Sequence, residues 1–244
     1  MRMRRVANCV VALLLAAMPV AGDTCKGTIY LTIDTGHMGP AEDIARVLNT
    51  HDVKVTFFLA NEPTLRGDTS LAPSWADFWR ARVAEGHVFG NHTWRHWYFR
   101  RDPGPDKVEY RSRSGDVVYL DQAGMCAELQ RVDDTFFAMT GRHLAPIWRA
   151  PGGRTTPNAL AMAHRCGYRR HIPWTPAGFL GDELPSERAS NRALLHDALH
   201  NIRDNDILLL HLGIWSRKDP FYPMLEPLIV GLKARGLCFA TFTE

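Results

Sequence analysis

Short apolar runs alternate along the chain with longer segments in which apolar residues recur every three or four positions. The short runs are typical of buried strands and lie at 28–33, 53–59, 86–91, 144–149, 168–173, 206–212 and 236–242. The longer segments have helical periodicity and lie at 40–50, 74–85, 121–140, 157–166, 189–203 and 222–235. This alternation predicts a parallel sheet with helices outside it, either wound into a barrel or left open.

One segment interrupts the alternation. Residues 98–120 contain proline, glycine and charges of both signs, so we expect a long loop over one end of the barrel that carries a small hairpin. No repeat, low-complexity tract or linker divides the rest, and 45% of the 244 residues are hydrophobic. We therefore predict one domain over residues 23–244 with a sizeable core.

The first 22 residues have the pattern of a signal peptide. Three arginines precede an apolar run at 6–20, and the small residues Ala21 and Gly22 follow it. The run is short for a membrane span, and an uncleaved anchor is the alternative. We expect a mature chain that begins near Asp23, is periplasmic or secreted, and has no stable membrane span after cleavage.

Cleavage changes the charge balance and the setting of the cysteines. The sequence has 29 basic and 26 acidic residues, and the leader holds three arginines and no acid, so the mature chain is formally neutral. Neutrality argues against a nucleic-acid partner. The remaining cysteines are too scattered in the sequence for a zinc cluster. Disulfides or buried thiols are therefore favoured, and export to an oxidising compartment would allow disulfides to form. We predict that Cys126 pairs with Cys166, and that Cys25 pairs with Cys238 if the sheet nearly closes.

Ionisable residues follow four of the predicted strands. They are Asp34 after the first strand, His92 and His96 after the third, Arg149 after the fourth and His211 after the sixth. In parallel α/β folds the carboxyl ends of the strands carry the chemistry. A single charge at one strand end would mean little, whereas four strands together predict a site.

Each of these residues also has a structural explanation. Asp34 could cap the next helix, Arg149 could form a surface ion pair, and His211, after four apolar residues, could be a satisfied core histidine. Two histidines four residues apart can share a metal, but the chain has 11 histidines, and His196 and His200 form a second such pair. That second pair lies opposite the leucines of its predicted helix, which indicates solvated surface.

Four short motifs occur in a fixed order. They are Asp34-Thr35-Gly36, then His92, Thr93 and His96, then Arg149, Pro151 and Gly153, and last Leu209 and His211. Together they resemble the motifs of the polysaccharide deacetylases of the NodB-homology type, carbohydrate esterase family four, and the likeness covers about 27–244. The resemblance implies an irregular (β/α) barrel of about seven parallel strands. It also implies hydrolysis of an N- or O-acetyl group on an acetylated polysaccharide or oligosaccharide.

The resemblance assigns catalytic roles. Asp34 would be the base, held ionised by Arg149, and His211 would protonate the leaving nitrogen. His92 and His96 would bind a divalent metal, with zinc as the expected ion, that polarises the carbonyl and lowers the pKa of its water.

Further residues would contact the substrate. The backbone amide of Gly152 would face the tetrahedral oxyanion. Pro151, Trp174 and Leu209 are the candidate binding residues. Phe179 would join Trp174 as a wall for a sugar ring.

Two positions depart from the family pattern. Thr35 stands at the position of the third metal ligand, and a neutral hydroxyl is a poor substitute for a carboxylate. Three outcomes are open: water or Asp34 completes the shell, His37 or another residue supplies a ligand, or the metal is absent. The fourth motif, whose aspartate orients the acid histidine, has no match, and Asp182 is only a weak substitute.

The leading hypothesis is therefore an exported, metal-dependent deacetylase of an acetylated glycan. The alternatives are a metal-deficient relative that binds carbohydrate and a metal-independent amidohydrolase that acts on a small cyclic amide. An enzyme is favoured by the retention of five residues, because a pure binder needs no acid–base pair: Asp34, Arg149, His92, His96 and His211.

Overall fold

The structure, a computed structural model, describes residues 25–242, so the predicted signal peptide lies outside it. The strands in this range are β1 (Gly27–Asp34), β2 (Thr56–Leu59), β3 (Val88–Asn91), β4 (Tyr98–Phe99), β5 (Val108–Arg111), β6 (Val117–Leu120), β7 (Ile147–Trp148), β8 (Arg170–His171), β9 (Ile207–His211) and β10 (Leu237–Phe239). The α-helices are α1 (Ala41–Thr50), α2 (Ala76–Ala84), α3 (Gln122–Thr140), α4 (Pro157–Arg165), α5 (Asn191–Asn201) and α6 (Leu225–Ala234). All seven predicted strands and all six predicted helices are present.

Seven parallel strands form one sheet that curls into an irregular half-barrel. The strand order is β10–β1–β2–β3–β7–β8, and β9 also pairs with β1. Beyond β8 the segment 175–179 lies against β9, where Thr175 N–H donates to the Ile207 carbonyl (3.1 Å) and Leu209 N–H donates to the Gly178 carbonyl (2.9 Å). The predicted fold class, an irregular barrel of about seven parallel strands, is confirmed.

The two faces of β1 have different neighbours, because successive side chains of a strand point to opposite sides. Ile29, Leu31 and Ile33 belong to the main apolar core, together with buried residues of the outer helices. Thr32 and Asp34 lie on the other face, and both hydrogen-bond to a side chain inside the barrel. The same alternation that builds the core therefore directs a carboxylate into the barrel.

Side-chain caps fix where several helices begin and end. Asp121 accepts a hydrogen bond from the Gly124 N–H at the start of α3, and Thr156 and Ser190 cap α4 and α5 in the same way. Helix α3 ends at Gly141, whose φ of 71° is the left-handed conformation that glycine adopts without strain.

The segment 98–120 is more ordered than a loop with a hairpin. It forms a three-stranded antiparallel sheet in the order β4–β5–β6. Phe99, Val108, Tyr110 and Leu120 are buried in a second core with residues of α3 and α4. Burial of those four side chains gives the segment a core of its own, which explains the extra strand.

Both predicted cysteine pairs form disulfides. Cys126 pairs with Cys166 across α3 and α4, with Cα atoms 5.3 Å apart. Cys25 pairs with Cys238 at 5.6 Å, which links the start of β1 to β10. Within residues 25–242, every helix is too short or too polar to span a bilayer.

Candidate active site

Asp34 lies at the carboxyl end of β1 in an ion pair that is closed to solvent. Its Oδ1 accepts a hydrogen bond from Arg149 Nη1 at 2.7 Å, and both side chains are buried. Arg149 follows β7, and its other nitrogens donate to Thr32 Oγ1 (2.8 Å) and the Ile172 carbonyl (2.9 Å). Three acceptors, two on β1 and one in the loop after β8, thus hold the Arg149 guanidinium in place against the Asp34 carboxylate.

The surroundings of Asp34 keep it ionised. Burial raises the pKa of this carboxyl. The positive charges around it, that of Arg149 foremost, together lower the pKa by more than burial raises it, so the net shift is downward. A buried carboxylate with a fixed partner can accept a proton without first exchanging a hydration shell. The arrangement is suited to a general base.

His92 directs one ring nitrogen toward Asp34. Its Nδ1 lies 2.8 Å from the Arg149 carbonyl, which can only accept, so Nδ1 carries the proton. Burial, and next the charge of His96, lower the pKa of His92 to about 4, although the Asp34 charge opposes this. Nε2 is therefore unprotonated at neutral pH and lies 3.3 Å from Asp34 Oδ2. The lone pair of Nε2 is therefore available to bind a cation in the cleft.

His96 contacts an acid that the sequence analysis did not identify. The His92 and His96 rings are in contact, with centroids 4.8 Å apart. His96 Nδ1 lies 3.5 Å from Oε1 of Glu62, a residue just past the end of β2. The other carboxylate oxygen of Glu62 accepts a hydrogen bond from Thr35 Oγ1 at 2.7 Å. Glu62 was detectable in principle as the first acid after a strand that neighbours β1.

The donor set fits a divalent metal by its chemistry. Two imidazoles and a carboxylate are ligand types that zinc takes in catalytic sites. As placed, however, the His, Cys, Asp and Glu side chains of residues 25–242 do not include a group of three or more that could hold a metal ion. His92 and His96 lie together as predicted. Thr35 contributes a hydroxyl that is hydrogen-bonded to Glu62.

His211 is joined to the aspartate that matched the family pattern only weakly. Its Nδ1 lies 3.0 Å from Asp182 Oδ1, and its backbone N–H donates to Asp182 Oδ2 at 2.8 Å. Burial lowers the pKa of His211, but the charge and hydrogen bond of Asp182, together with the charges of Asp34 and Glu183, raise it to about 9. Asp182 therefore holds the ring and keeps it protonated at neutral pH, which leaves the Nε2 proton available for transfer.

All predicted site residues except the buried Arg149 and Pro151 line one cleft of about 840 Å³. Those that line it are Asp34, Thr35, His92, His96, Gly152, Trp174, Leu209 and His211. Asp34 and His211 are direct neighbours across β1 and β9. Pro151 is buried and is not among the lining residues, and Phe179 stacks on Trp174 with ring centroids 6.4 Å apart.

Glycine is required at the end of the first motif. A Cβ on Gly36 would lie 2.1 Å from the Gly213 carbonyl oxygen in the loop after β9. That contact is far inside van der Waals distance, so a larger residue would separate the β1 and β9 loops. Gly36 thus allows the loops that carry Asp34 and His211 to approach each other.

Three other histidines that the sequence raised as candidates lie outside this cleft. His37 lines a neighbouring cavity of about 230 Å³ beside Leu65 and Phe221, and its Nδ1 accepts from the Gly39 N–H. His196 and His200 are exposed on α5, as predicted for solvated surface. None of the three lines the cleft.

The curled parallel barrel thus brings a buried carboxylate–arginine pair and an aspartate-bound histidine to one cleft. The family model described as polysaccharide deacetylase matches residues 21–171. The chain belongs to the polysaccharide deacetylase family, a family of hydrolases that act on carbon–nitrogen bonds, as the motifs predicted.

Individual relatives agree with this assignment. An uncharacterised 30.6 kDa protein of Geobacillus stearothermophilus is 30% identical over 91% of this chain and 72% of its own length. The peptidoglycan-N-acetylmuramic acid deacetylase PdaA of Bacillus subtilis is 25% identical over 91% of this chain and 73% of its own.

Solved structures share the fold. A family 4 carbohydrate esterase from Streptomyces lividans superimposes with a TM-score of 0.65 at 20% identity, over 90% of this chain and 94% of its own. A CE4 family pseudoenzyme from Bacillus anthracis gives 0.64 at 20% identity, over 89% of this chain and 64% of its own.

Proposed function

We propose that the protein is an exported deacetylase that hydrolyses the acetamide, or the acetate ester, of an acetylated glycan. The observation that carries the proposal is the juxtaposition of an ionised Asp34 and a protonated His211 on neighbouring strands of one cleft. A base and an acid on either side of a reacting bond are what amide hydrolysis requires. The names of relatives supply the substrate class, since PdaA acts on peptidoglycan and another relative is a chitooligosaccharide deacetylase.

The proposed reaction uses the chain's own groups in two proton transfers. Asp34 takes a proton from a water molecule while the water oxygen attacks the acetyl carbon. The carbonyl oxygen then becomes an oxyanion that faces the Gly152 amide. When the C–N bond breaks, the Nε2 proton of His211 passes to the leaving nitrogen. The products are acetate and a free amine on the sugar.

A divalent metal, when bound by residues of the cleft, would polarise the carbonyl and lower the pKa of the attacking water. Arg149 has a separate task, because it holds Asp34 in its charged form and fixed orientation. Trp174, backed by Phe179, offers a flat apolar wall on which a pyranose ring can pack.

Export is supported by the N-terminal pattern and by the two disulfides, which persist in oxidising compartments. N-terminal sequencing of the protein recovered from the periplasm or medium should start near Asp23. A chain that still carries Met1 would contradict cleavage.

One alternative has an observation in its favour. Thr35 stands where a carboxylate ligand is expected, which supports a metal-deficient relative that binds carbohydrate without hydrolysing it. Acetate release from N-acetylated chitooligosaccharides and from peptidoglycan separates the two, with Asp34→Asn as the inactive control. Glycan binding with no acetate release above that control at any added metal would establish the binder.

A further inference from the structure

The Thr35 hydroxyl has a defined task in the cleft. It donates its only proton to Glu62 Oε2 at 2.7 Å and accepts from the Ala60 N–H at 3.1 Å. Thr35 is buried, so its position is set by packing. A hydroxyl bonded in this way cannot rotate freely, and it fixes one oxygen of the neighbouring carboxylate.

The backbone of Glu62 is also held in place. Its N–H donates to Ser70 Oγ at 3.0 Å, and its carbonyl accepts from the Ser70 N–H at 2.8 Å. Ser70 is fully buried. Glu62 is therefore a built part of the cleft wall, reached from the end of β2, and its side chain is 16% exposed.

Glu62 and Asp34 differ in the positively charged partner that balances their negative charge. Asp34 has Arg149 at 2.7 Å. Among residues 25–242, Glu62 has no lysine or arginine at ion-pair distance, and its partner is His96 Nδ1 at 3.5 Å. A carboxylate that is fixed by a hydroxyl, faces a histidine pair and lacks a resident cation is the kind of group that a metal ion recruits.

We infer that Glu62 supplies the anionic ligand that Thr35 lacks, so that a divalent cation is held by His92, His96 and Glu62, with Thr35 as the positioning residue. The inference rests on the proposed function of the same cleft. The sequence left open that a residue other than Thr35 supplies the third ligand, and the inference identifies that residue as Glu62. Two histidines and a glutamate form a known ligand set of catalytic zinc and leave one position open.

Binding requires side chains of the cleft to rotate. The donors do not form a three-ligand group as placed, so Glu62 or His96 has to rotate. Both side chains face the cleft, and that of His96 is 25% exposed, which leaves room for the rotation. His92 needs none at its ring, because the Arg149 carbonyl already orients Nδ1 and leaves Nε2 free.

The test is zinc affinity of the metal-stripped, disulfide-bonded mature protein, measured by competition with a chromophoric chelator. Glu62→Gln should weaken binding by about 100-fold or more, because a ligand is lost. Thr35→Val should weaken it by about 10- to 100-fold, the usual effect of losing a group that orients a ligand. Thr35→Ser keeps the hydroxyl and should restore most of that loss. Glu183→Gln, a neutralised acid in the same cleft, is the matched control and should bind as the parent does.

A relocated carboxylate provides a second test that does not depend on one variant folding well. Thr35→Asp combined with Glu62→Gln moves the acid by one hydrogen-bond length, and it should regain most of the zinc affinity lost in Glu62→Gln. Melting curves in chelator show which variants are folded. Unchanged affinity in Glu62→Gln, with loss in His92→Ala, overturns the inference.

The measurements also separate this inference from the proposed function. Acetate release by a parent protein that binds no zinc would leave the deacetylase standing and remove the Glu62 site. Zinc binding that depends on Glu62, without acetate release from any acetylated glycan, would establish the site and overturn the deacetylase.

Discussion

The cleft has two halves that are built in different ways. The acid–base half consists of Asp34 with Arg149 and His211 with Asp182, and its ionic hydrogen bonds measure 2.7 and 3.0 Å. The metal half consists of His92, His96, Thr35 and Glu62, where the His96–Glu62 contact is 3.5 Å. The first half is preorganised by its own charges, whereas the second keeps donors whose geometry a bound cation would complete.

This difference follows from where the residues lie on the fold. Asp34 and His211 end strands that are paired in register, so their positions are fixed to the sheet. His96 has a φ of 53°, and Glu62 lies on a loop between β2 and α2. Strand tips give precision, and loops leave room for side chains to adjust.

The largest effect is expected from removing the charge of Asp34. Asp34→Asn should lower kcat/KM by about 100- to 10,000-fold, the usual contribution of a proton-transfer group. It should change zinc affinity little, because the role proposed for Asp34 is proton transfer. Initial rates on an N-acetylated oligosaccharide and chelator competition measure the two quantities.

The same change leaves Arg149 as a buried charge without its partner, which costs about 3–5 kcal/mol of folding free energy. Rates should therefore be compared below the melting temperature of the variant. If Asp34→Asn strips zinc as completely as His92→Ala does, Asp34 is a metal ligand, the division into two halves is wrong, and the base lies elsewhere.

The sequence predicted the acid–base half better than the metal half, because the first lies on strand tips and the second partly on loops. Strand periodicity placed Asp34, Arg149 and His211 at one end of a barrel, and the structure brings them together. Glu62 was missed because no period governs a loop: it is the first acid after β2, but that position alone does not show that its side chain contacts Thr35. Asp182 was underrated for a similar reason, since its contact with His211 joins positions 29 residues apart.

Boundaries and added elements were also harder to predict. The run at 53–59 is mostly apolar, but only Thr56–Leu59 pairs as a strand. Apolar character marks burial, whereas strand length depends on hydrogen-bond partners in distant segments. The three-stranded sheet at 98–120 formed for a related reason: its buried side chains find their core on α3 and α4, which follow the segment in the chain.

A smaller effect is expected from the partner of His211. The pKa of His211 is about 9, so its contribution to stability is fully present below the ordinary value near 6.5 and is lost as pH rises through about 9. Asp182→Asn removes the charge that contributes most to raising this pKa, so the alkaline limb of kcat/KM should move toward neutral pH. Activity at pH 8 should fall roughly tenfold or more, with a much smaller loss at pH 6.

A pH–rate profile of both proteins measures this shift, and zinc affinity at pH 7 is the control that should stay unchanged. An equal loss of activity at every pH would mean that Asp182 only packs against His211. A limb that stays near pH 9 in the variant would assign the alkaline loss to another group.

The smallest effect is expected from the histidine pair outside the cleft. His196 and His200 have the same four-residue spacing as His92 and His96, and their rings stack with centroids 4.1 Å apart. Their surroundings differ, because both are exposed on α5 and the acid near them is Asp197, which is itself exposed. Water competes for every donor at such a surface, whereas the buried pair has a fixed acceptor for His92 Nδ1 and a carboxylate beside His96.

The double variant His196→Ala/His200→Ala should therefore keep kcat/KM and zinc affinity within about twofold of the parent, since surface changes away from a site have small effects. The double variant His92→Ala/His96→Ala should lose zinc binding. Chelator competition and acetate release are measured on both double variants. The two histidine pairs have the same spacing and differ in burial and in the groups that contact their rings. Equal losses in the two variants would show that spacing alone decides zinc binding, and the metal half would have to be placed on α5.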